Sequence, residues 1–385
     1  MLQRLACLCV TGAKSSTATM SLETLLFLPP LDLFVKSVAF NSSANVRNNG
    51  WWSSASDTGH ASIVNLIDDD RLKMPSDQIR AEYMLDDNFD WLIPTEDEWL
   101  VEGGVYPPSS NVVCFTDGSK KDGLTGAGYL CDYLGLERSL STGYIASVFQ
   151  TELFAISEVC AEMQCINVSN EDIYICTDSQ SAIQAVSSPY VRSRTVLDCK
   201  VALNALGVSN SVTILWVPGH KGIAGNERAD LLANKGAESD FIGPEPMFGI
   251  TASTRKAIVK EWLLREHKKR WQQYEGARHT KIFCRSPSLN LRKSLLDLKR
   301  SDIKRIVEAV SDHGELNKHL FDIGHADSPR CLCGRGEETG YHVISDCPRY
   351  RYFRRAFLGK PELSGLDLDV SSMDLTNLAV FLKKT

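Results

Sequence analysis

"VVCFTDGSK", Val112 to Lys120, is the stretch on which the reading of this chain turns. An apolar run, Val112 to Phe115, stops abruptly at Thr116, Asp117 and Gly118. Asp-Gly is a common turn dipeptide, so alone the stretch says only that a buried strand ends in a turn. It says more if neighbouring elements also end in acids, and the middle third of the chain supplies them. A polar turn, "GSKKDGLTG", leads to a second strand, "AGYLCDYL", and Gly135 helps the chain reverse into a third strand near 138–146. "VFQTELFAISEVCAEM" spaces Leu153, Ile156 and Val159 along one helical face. "DIYICTD" reads as a buried strand, and "SQSAIQAV" as a short helix with Asp178 or Ser179 as its cap. "SRTVLDCKVALNALG" is a helix stopped by Gly207. "SVTILWV" is a strand closed by Pro218 and Gly219, and "GNERADLLANKGA" is a last helix. The order β-β-β-α-β-α-α-β-α predicts an α/β fold. It is a five-stranded mixed sheet flanked by helices, with three strands as a meander and two joined by right-handed crossovers.

On that scheme Asp117 ends the first strand, Glu152 lies in the first turn of the first helix, Asp178 ends the fourth strand, and Asp230 lies in the first turns of the last helix. If the first and fourth strands are neighbours, Asp117 and Asp178 stand side by side at carboxyl ends of strands, where open α/β sheets bind ligands. Each acid alone has a plain structural reading, as a turn residue, a cap or a helix N-terminal charge. Four at matching ends of elements are far harder to assign to chance. Carboxylates so close repel one another, and divalent cations remove that conflict. An all-oxygen set without thiolate favours Mg²⁺, with Mn²⁺ able to substitute, over zinc. Two such ions about 4 Å apart can activate a water and stabilise a leaving oxygen at phosphorus. "WVPGHKGIAGNERAD", Trp216 to Asp230, carries His220 toward the same rim on a glycine-rich loop. An imidazole there could assist leaving-group protonation or product departure. Lone loop histidines are usually inert, so that role depends on geometry.

"CFTDGS", "FQTELFAI", "ICTDSQSAI" and "WVPGHKGIAGNERADLLA" together resemble the type I ribonuclease H domain of non-LTR retrotransposon polyproteins, in particular the jockey-like group of insects. The resemblance covers about residues 110–240 and implies a ribonuclease H-like fold. It implies cleavage of the RNA strand of RNA/DNA hybrids, leaving 3'-hydroxyl and 5'-phosphate ends. Asp117, Glu152, Asp178 and Asp230 match the family's carboxylate set, and His220 matches the histidine of its flexible loop. The residues by themselves reach only metal-dependent phosphodiester hydrolysis. Ser119, Ser179, Gln180 and Asn226 neighbour the acids and could contact the 2'-hydroxyls that mark an RNA strand, although such residues also cap helices and turns. Some cellular relatives carry a basic helical handle between the helices near 179–187 and 193–206, where this chain has only "SSPYVRS". Grip on a hybrid would then come from elsewhere.

The flanks divide by charge. Between Asp57 and Glu102 stand 13 acidic and 3 basic residues, and between Thr251 and Val310 stand 16 basic and 6 acidic, an asymmetry hidden by the overall charge of -6. Residues 1–108 read as an irregular, partly disordered extension: a helix broken by "LPPLDLF", then a stretch from about 41 that is mostly loop. It is similar to the segment between reverse transcriptase and ribonuclease H in the same polyproteins. The remaining regions are 109–240 for the ribonuclease H domain, 250–322 for a basic helical region, and 323–385 for a Cys/His tail. "TRKAIVKEWLLREHKKRWQQY" is amphipathic and basic, a helix that either docks by Trp262 and Trp271 or grips phosphates. In "CLCGRGEETGYHVISDCPRY", Cys331, Cys333, His342 and Cys347 suit a tetrahedral structural Zn²⁺, with reduced cysteines in a helical tail as the competing reading. The tail also looks like the C-terminal region of those polyproteins, so the chain reads as the distal part of one, without a polymerase site.

Most of the 12 cysteines lie singly in apolar runs, as reduced thiols in a cytoplasmic or nuclear protein would. The N-terminal run is too short and interrupted for a signal peptide or membrane span, so a secreted or membrane protein is not expected. The leading reading is an endoribonuclease acting on RNA/DNA hybrids. Its rivals are a retroelement-derived binding module that keeps the fold without turnover, and an integrase-like nuclease on the same sheet.

Overall fold

Alternation along the first long strand explains the layers of the protein. In the computed structural model, residues 2–48, 63, 66–100, 111–245 and 247–385 are described. Much of the expected loop before the ribonuclease H region lies outside them, including the tryptophan pair at 51–52. Strand β3, Val112–Lys121, sends Val112 and Cys114 to one face and Phe115 to the other. On the first face they pack with Leu153, Ile156 and Val159 of a helix, and with Ile183 and Leu203 of two others. On the second face Phe115, Leu130, Cys176 and Leu215 pack under Ala229 and Leu232.

The sheet has the order β2-β8-β6-β3-β4-β5. Strands β4 (Leu124–Cys131) and β5 (Leu136–Gly143) form the meander with β3. Strands β6 (Asp172–Thr177) and β8 (Ser211–Trp216) run parallel to it. Five of these six are the expected strands. The sixth, β2 (Asp90–Leu92), comes from the N-terminal extension and adds in parallel to the edge of β8. A further strand from the extension, β1 (Gln78–Tyr83), pairs antiparallel with β7 (Tyr190–Ser193), which occupies the "SSPYVRS" stretch.

Helices α1 (Leu2–Thr11), α2 (Thr19–Leu25), α3 (Leu31–Asn48) and α4 (Glu96–Leu100) lie in the extension. The sheet is flanked by α5 (Val148–Cys165), α6 (Gln180–Ser187), α7 (Arg194–Leu206) and α8 (Ala224–Glu238). α5 starts at a complete capping box, Ser147 with Gln150. α8 lies directly on the backbone of β4. A Cβ at Gly126 would sit 2.1 Å from the Ala237 nitrogen, so "TGAGYL" leaves that side chain out.

The extension is anchored on α7. The Asp77 carboxylate, 4% exposed, accepts from the Thr195 backbone N–H at 3.0 Å and its hydroxyl at 2.6 Å, at the positive end of that helix. Lys200, fully buried, pairs with Asp87 at 3.0 Å and donates to the Ser188 carbonyl at 3.0 Å. Asp77→Ala is therefore expected to lower stability by about 2 kcal/mol, roughly 4–8 °C in melting temperature. A melt unchanged from the wild type would show that the extension does not hold α7.

The chain divides into two compact units, residues 1–39 with 260–385, and residues 40–259. In the first, the outermost segments of the chain share one core rather than folding as separate regions in sequence order. Cys7, Leu22 and Leu25 pack in it with Phe283, Ile306 and Val310, and with Leu378 and Phe381. Beyond α9 (Ala252–Gln273) its helices are α10 (Arg278–Phe283), α11 (Leu289–Leu296), α12 (Arg300–Ser311), α13 (Asn317–Asp322), α14 (Gly340–Ser345), α15 (Arg351–Leu358) and α16 (Leu375–Leu382). Trp262 and Trp271 of α9 are buried, and the Trp271 indole N–H donates to the Cys284 carbonyl at 3.1 Å. These two tryptophans thus dock the helix.

Candidate active site

Register brings the acids together. β3 and β6 run parallel with Thr116 opposite Thr177, so Asp117 and Asp178 follow at one level on adjacent strands. β3 does not end there. It continues through Gly118 and Ser119, paired with β4, to Lys121. Gly118 is thus a strand residue and not a turn. A Cβ on it would stand 2.4 Å from the Thr151 hydroxyl and 2.6 Å from the Glu152 nitrogen. Absence of that side chain lets α5 approach β3 closely enough to bring Glu152 to the acids.

One carboxylate oxygen each of Asp117, Glu152 and Asp178 lies within 4.8 Å of the others. Asp230 lies outside that set of three but near enough to Asp117 to repel its charge. Asp117 is 6% exposed, and its carboxyl is pushed up to about 7, by burial first and then by Asp178 and Asp230. Glu152 is held well above the usual carboxylate range by burial, then by Asp117 and Asp178. These are acids gathered in a place where the protein alone discourages their charge. An oxygen-only set of this kind fits a hard divalent cation, for which Asp117, Glu152 and Asp178 supply convergent ligands.

Neutral donors orient the acids. The Thr177 hydroxyl reaches Glu152 at 3.5 Å, and the Asn226 amide reaches Asp178 at 3.4 Å. The Trp216 indole N–H fixes the Asp178 carbonyl at 3.1 Å. Asn234 donates to Asp230 Oδ1 at 3.0 Å and accepts at its own Oδ1 from the Ser119 hydroxyl at 2.6 Å. Ser119 therefore directs its proton to this relay. Sequence reasoning missed Asn234, although it lies four residues beyond Asp230 on one helical face, a spacing that makes side chains neighbours.

Ser179 caps α6 by accepting from the Ala182 N–H at 3.3 Å. Gln180 is exposed at the start of that helix. Asn226 is 3% exposed, and its Oδ1 has no partner among the described residues. His220 is exposed in the connection between β8 and α8, with φ of 54°.

In the other unit Cys331, Cys333, His342 and Cys347 each offer a ligand atom, all within 4.8 Å of one another, so this cluster could bind zinc. Cys331 and Cys347 sulfurs are 3.8 Å apart, and Cys333 Sγ lies 3.2 Å from His342 Nε2. His342 Nδ1 lies 2.9 Å from Asp346 Oδ1, the outer carboxylate that fixes a ligating imidazole's tautomer. Arg354, fully buried, donates to the Cys347 carbonyl at 2.7 Å and the Val343 carbonyl at 2.9 Å, holding the loop after α14. Asp346 and Arg354 also escaped the sequence reading.

Residues 109–238 match the model of the RNase H family and form an RNase H domain. The chain is 26% identical over 160 residues to the Retrovirus-related Pol polyprotein from type-1 retrotransposable element R1 3 of Nasonia vitripennis, a match spanning 38% of this chain and 40% of that protein. It is 27% identical over 117 residues to the corresponding R1 polyprotein of Bradysia coprophila, across 30% of this chain and 11% of that one. It is also 29% identical over 151 residues to a Ribonuclease H of Francisella philomiragia, across 34% of this chain and 94% of that protein. The chain thus matches well under two thirds of the length of the two polyproteins. Among the described residues no helix is long and apolar enough to cross a membrane.

Proposed function

We propose that this chain is an endoribonuclease that hydrolyses the RNA strand of RNA/DNA hybrids, derived from the distal part of a non-LTR, jockey-like retrotransposon polyprotein. The observation that carries the reading is the convergence of Asp117, Glu152 and Asp178 within 4.8 Å on an RNase H domain. Asp117, Glu152, Asp178 and Asp230 would hold two Mg²⁺ ions. Such ions, when bound, activate a water and neutralise charge on the leaving 3'-oxygen. Thr177, Asn226 and Asn234 donate to three of the acids and so orient their remaining lone pairs. His220, exposed in its loop, would give a proton to the departing oxygen. Gln180, exposed at the start of α6, would meet the RNA strand, whereas Ser119, Ser179 and the buried Asn226 already hold partners within the protein. We assign Cys331, Cys333, His342 and Cys347 to one structural Zn²⁺.

The test is cleavage of labelled RNA/DNA hybrid, RNA duplex and DNA duplex with Mg²⁺, using Asp178→Asn as the control. Cutting confined to the RNA of the hybrid, and lost in the variant, is the expected result. Hybrid bound but never cut would leave a binding module. DNA duplex cut with hybrid spared would point to an integrase-like nuclease.

Stability should depend on pH through the same acids. Asp117 is raised to about 7, so the folded metal-free protein binds more protons than the unfolded chain between about pH 4 and 7. Stability from this group is therefore present at low pH and lost as pH rises through that window. Glu152 acts in the same direction. In EDTA the melting temperature should fall between about pH 5 and pH 8, and Mg²⁺ should restore it at the higher pH by roughly 5 °C or more. A Mg²⁺ effect equal at both values would contradict this account.

A further inference from the structure

A cavity of about 700 Å³ lies in the 40–259 unit, away from the acids, among the second half of α3, the 66–76 segment and the start of α9. Its apolar floor includes Phe40, Ile67 and Ile250, all buried. Its cationic lining is Arg255, Arg47 and Lys73. Arg255 is only 6% exposed. One of its terminal nitrogens donates to Asn45 Oδ1, while its Nε is buried without a partner among the described residues. No carboxylate among the described residues pairs with it. Asp68, the acid on the lining, has its side chain 94% exposed and is held by Lys73 at 3.3 Å. A guanidinium cannot shed its proton, and a buried charge without a counter-charge costs stability. Burial indeed pulls Arg255 below its usual range. Cavities of this size, apolar with a few polar groups, suit small organic ligands.

We propose that this cavity binds an organic phosphate the size of a nucleoside monophosphate, with its oxyanion on Arg255 and Arg47 and its apolar body against Phe40, Ile67 and Ile250. A planar guanidinium takes a phosphate by paired hydrogen bonds, and the apolar floor accepts the attached base or ring. The assignment does not depend on the nuclease reading, since none of the four acids lines the cavity.

The experiment is a thermal melt and a calorimetric titration of the full chain in EDTA with AMP, inorganic phosphate and adenosine. AMP is expected to raise the melting temperature saturably, phosphate to raise it less, and adenosine not at all. Arg255→Met keeps the stem and removes the charge. It should melt no lower than the wild type without ligand and lose the AMP shift. Arg47→Met, at the exposed rim, should weaken AMP binding by about tenfold. Asp178→Asn should keep the AMP shift in full, which separates this site from the acids. The proposal fails if AMP gives no shift, if its shift does not exceed that of phosphate, if Arg255→Met retains it, or if Asp178→Asn loses it. Should Arg255→Met not fold, unchanged AMP affinity in Arg47→Met overturns the proposal.

Discussion

Asp117→Asn is expected to lower hybrid cleavage by about 10³-fold or more while raising the metal-free melting temperature near neutral pH. The two effects share one cause. Asp117 feels the charges of both Asp178 and Asp230, nearly cut off from water, and repulsion adds to burial in holding its carboxyl at about 7. Asparagine matches its shape and removes the charge. The folded state then no longer opposes ionisation at this position, and one of the proposed ligands for a divalent cation is gone. Single-turnover cleavage of a labelled hybrid and a melt in EDTA read both effects. Cleavage within about tenfold of the wild type would remove Asp117 from the machinery. A lower melting temperature would show that its carboxylate is structural.

The second large effect is expected at the Cys/His cluster. Cys347→Ser, or a strong chelator on the wild type, should abolish stoichiometric zinc and lower the melting temperature of the 1–39 and 260–385 unit by more than about 10 °C. Structural zinc sites carry on the order of 10 kcal/mol of folding free energy. Cys331 and Cys347 belong to the same core as Ile306, Tyr350 and Leu378, so losing their tether loosens that core. Zinc by elemental analysis and a chelator-dependent melt provide the check. A purified chain without zinc that melts as high as one loaded with it would end the assignment.

How much was legible follows from how local each signal is. The five central strands and their helices were readable because each carries its own period and its own stop, such as Gly207 or Pro218. The acids were readable because Asp117 and Asp178 each follow an apolar run within one strand-length of sequence. β2 was not, because three exposed residues carry no period and depend on β8, more than a hundred residues away. β1 hid for the same reason, inside an acidic, aperiodic stretch. "Asp-Gly-Ser" misled in one respect. The glycine that looked like a turn is a paired strand residue, required by the approach of α5. Trp262 and Trp271 left two readings open because a basic amphipathic helix looks alike whether it docks or grips phosphate. Only their burial separates those readings. Arg354 looked like another surface cation, but it is fully buried because three carbonyls, of Pro361, Val343 and Cys347, converge on it.

The short strand Asp90–Leu92 has a practical consequence for anyone trimming this chain. It covers the outer ladder of Ser211–Trp216, whose side chains at Val212, Ile214 and Leu215 are apolar and buried. An excised fragment starting at residue 109 would present that ladder bare to solvent, as a template on which a second molecule could add its own backbone. Such a fragment should come off a sizing column as dimers and larger species. A fragment that keeps the acidic lead-in from residue 66 should remain monomeric, because the edge it then presents is only three residues long and opens on the charge of Asp90.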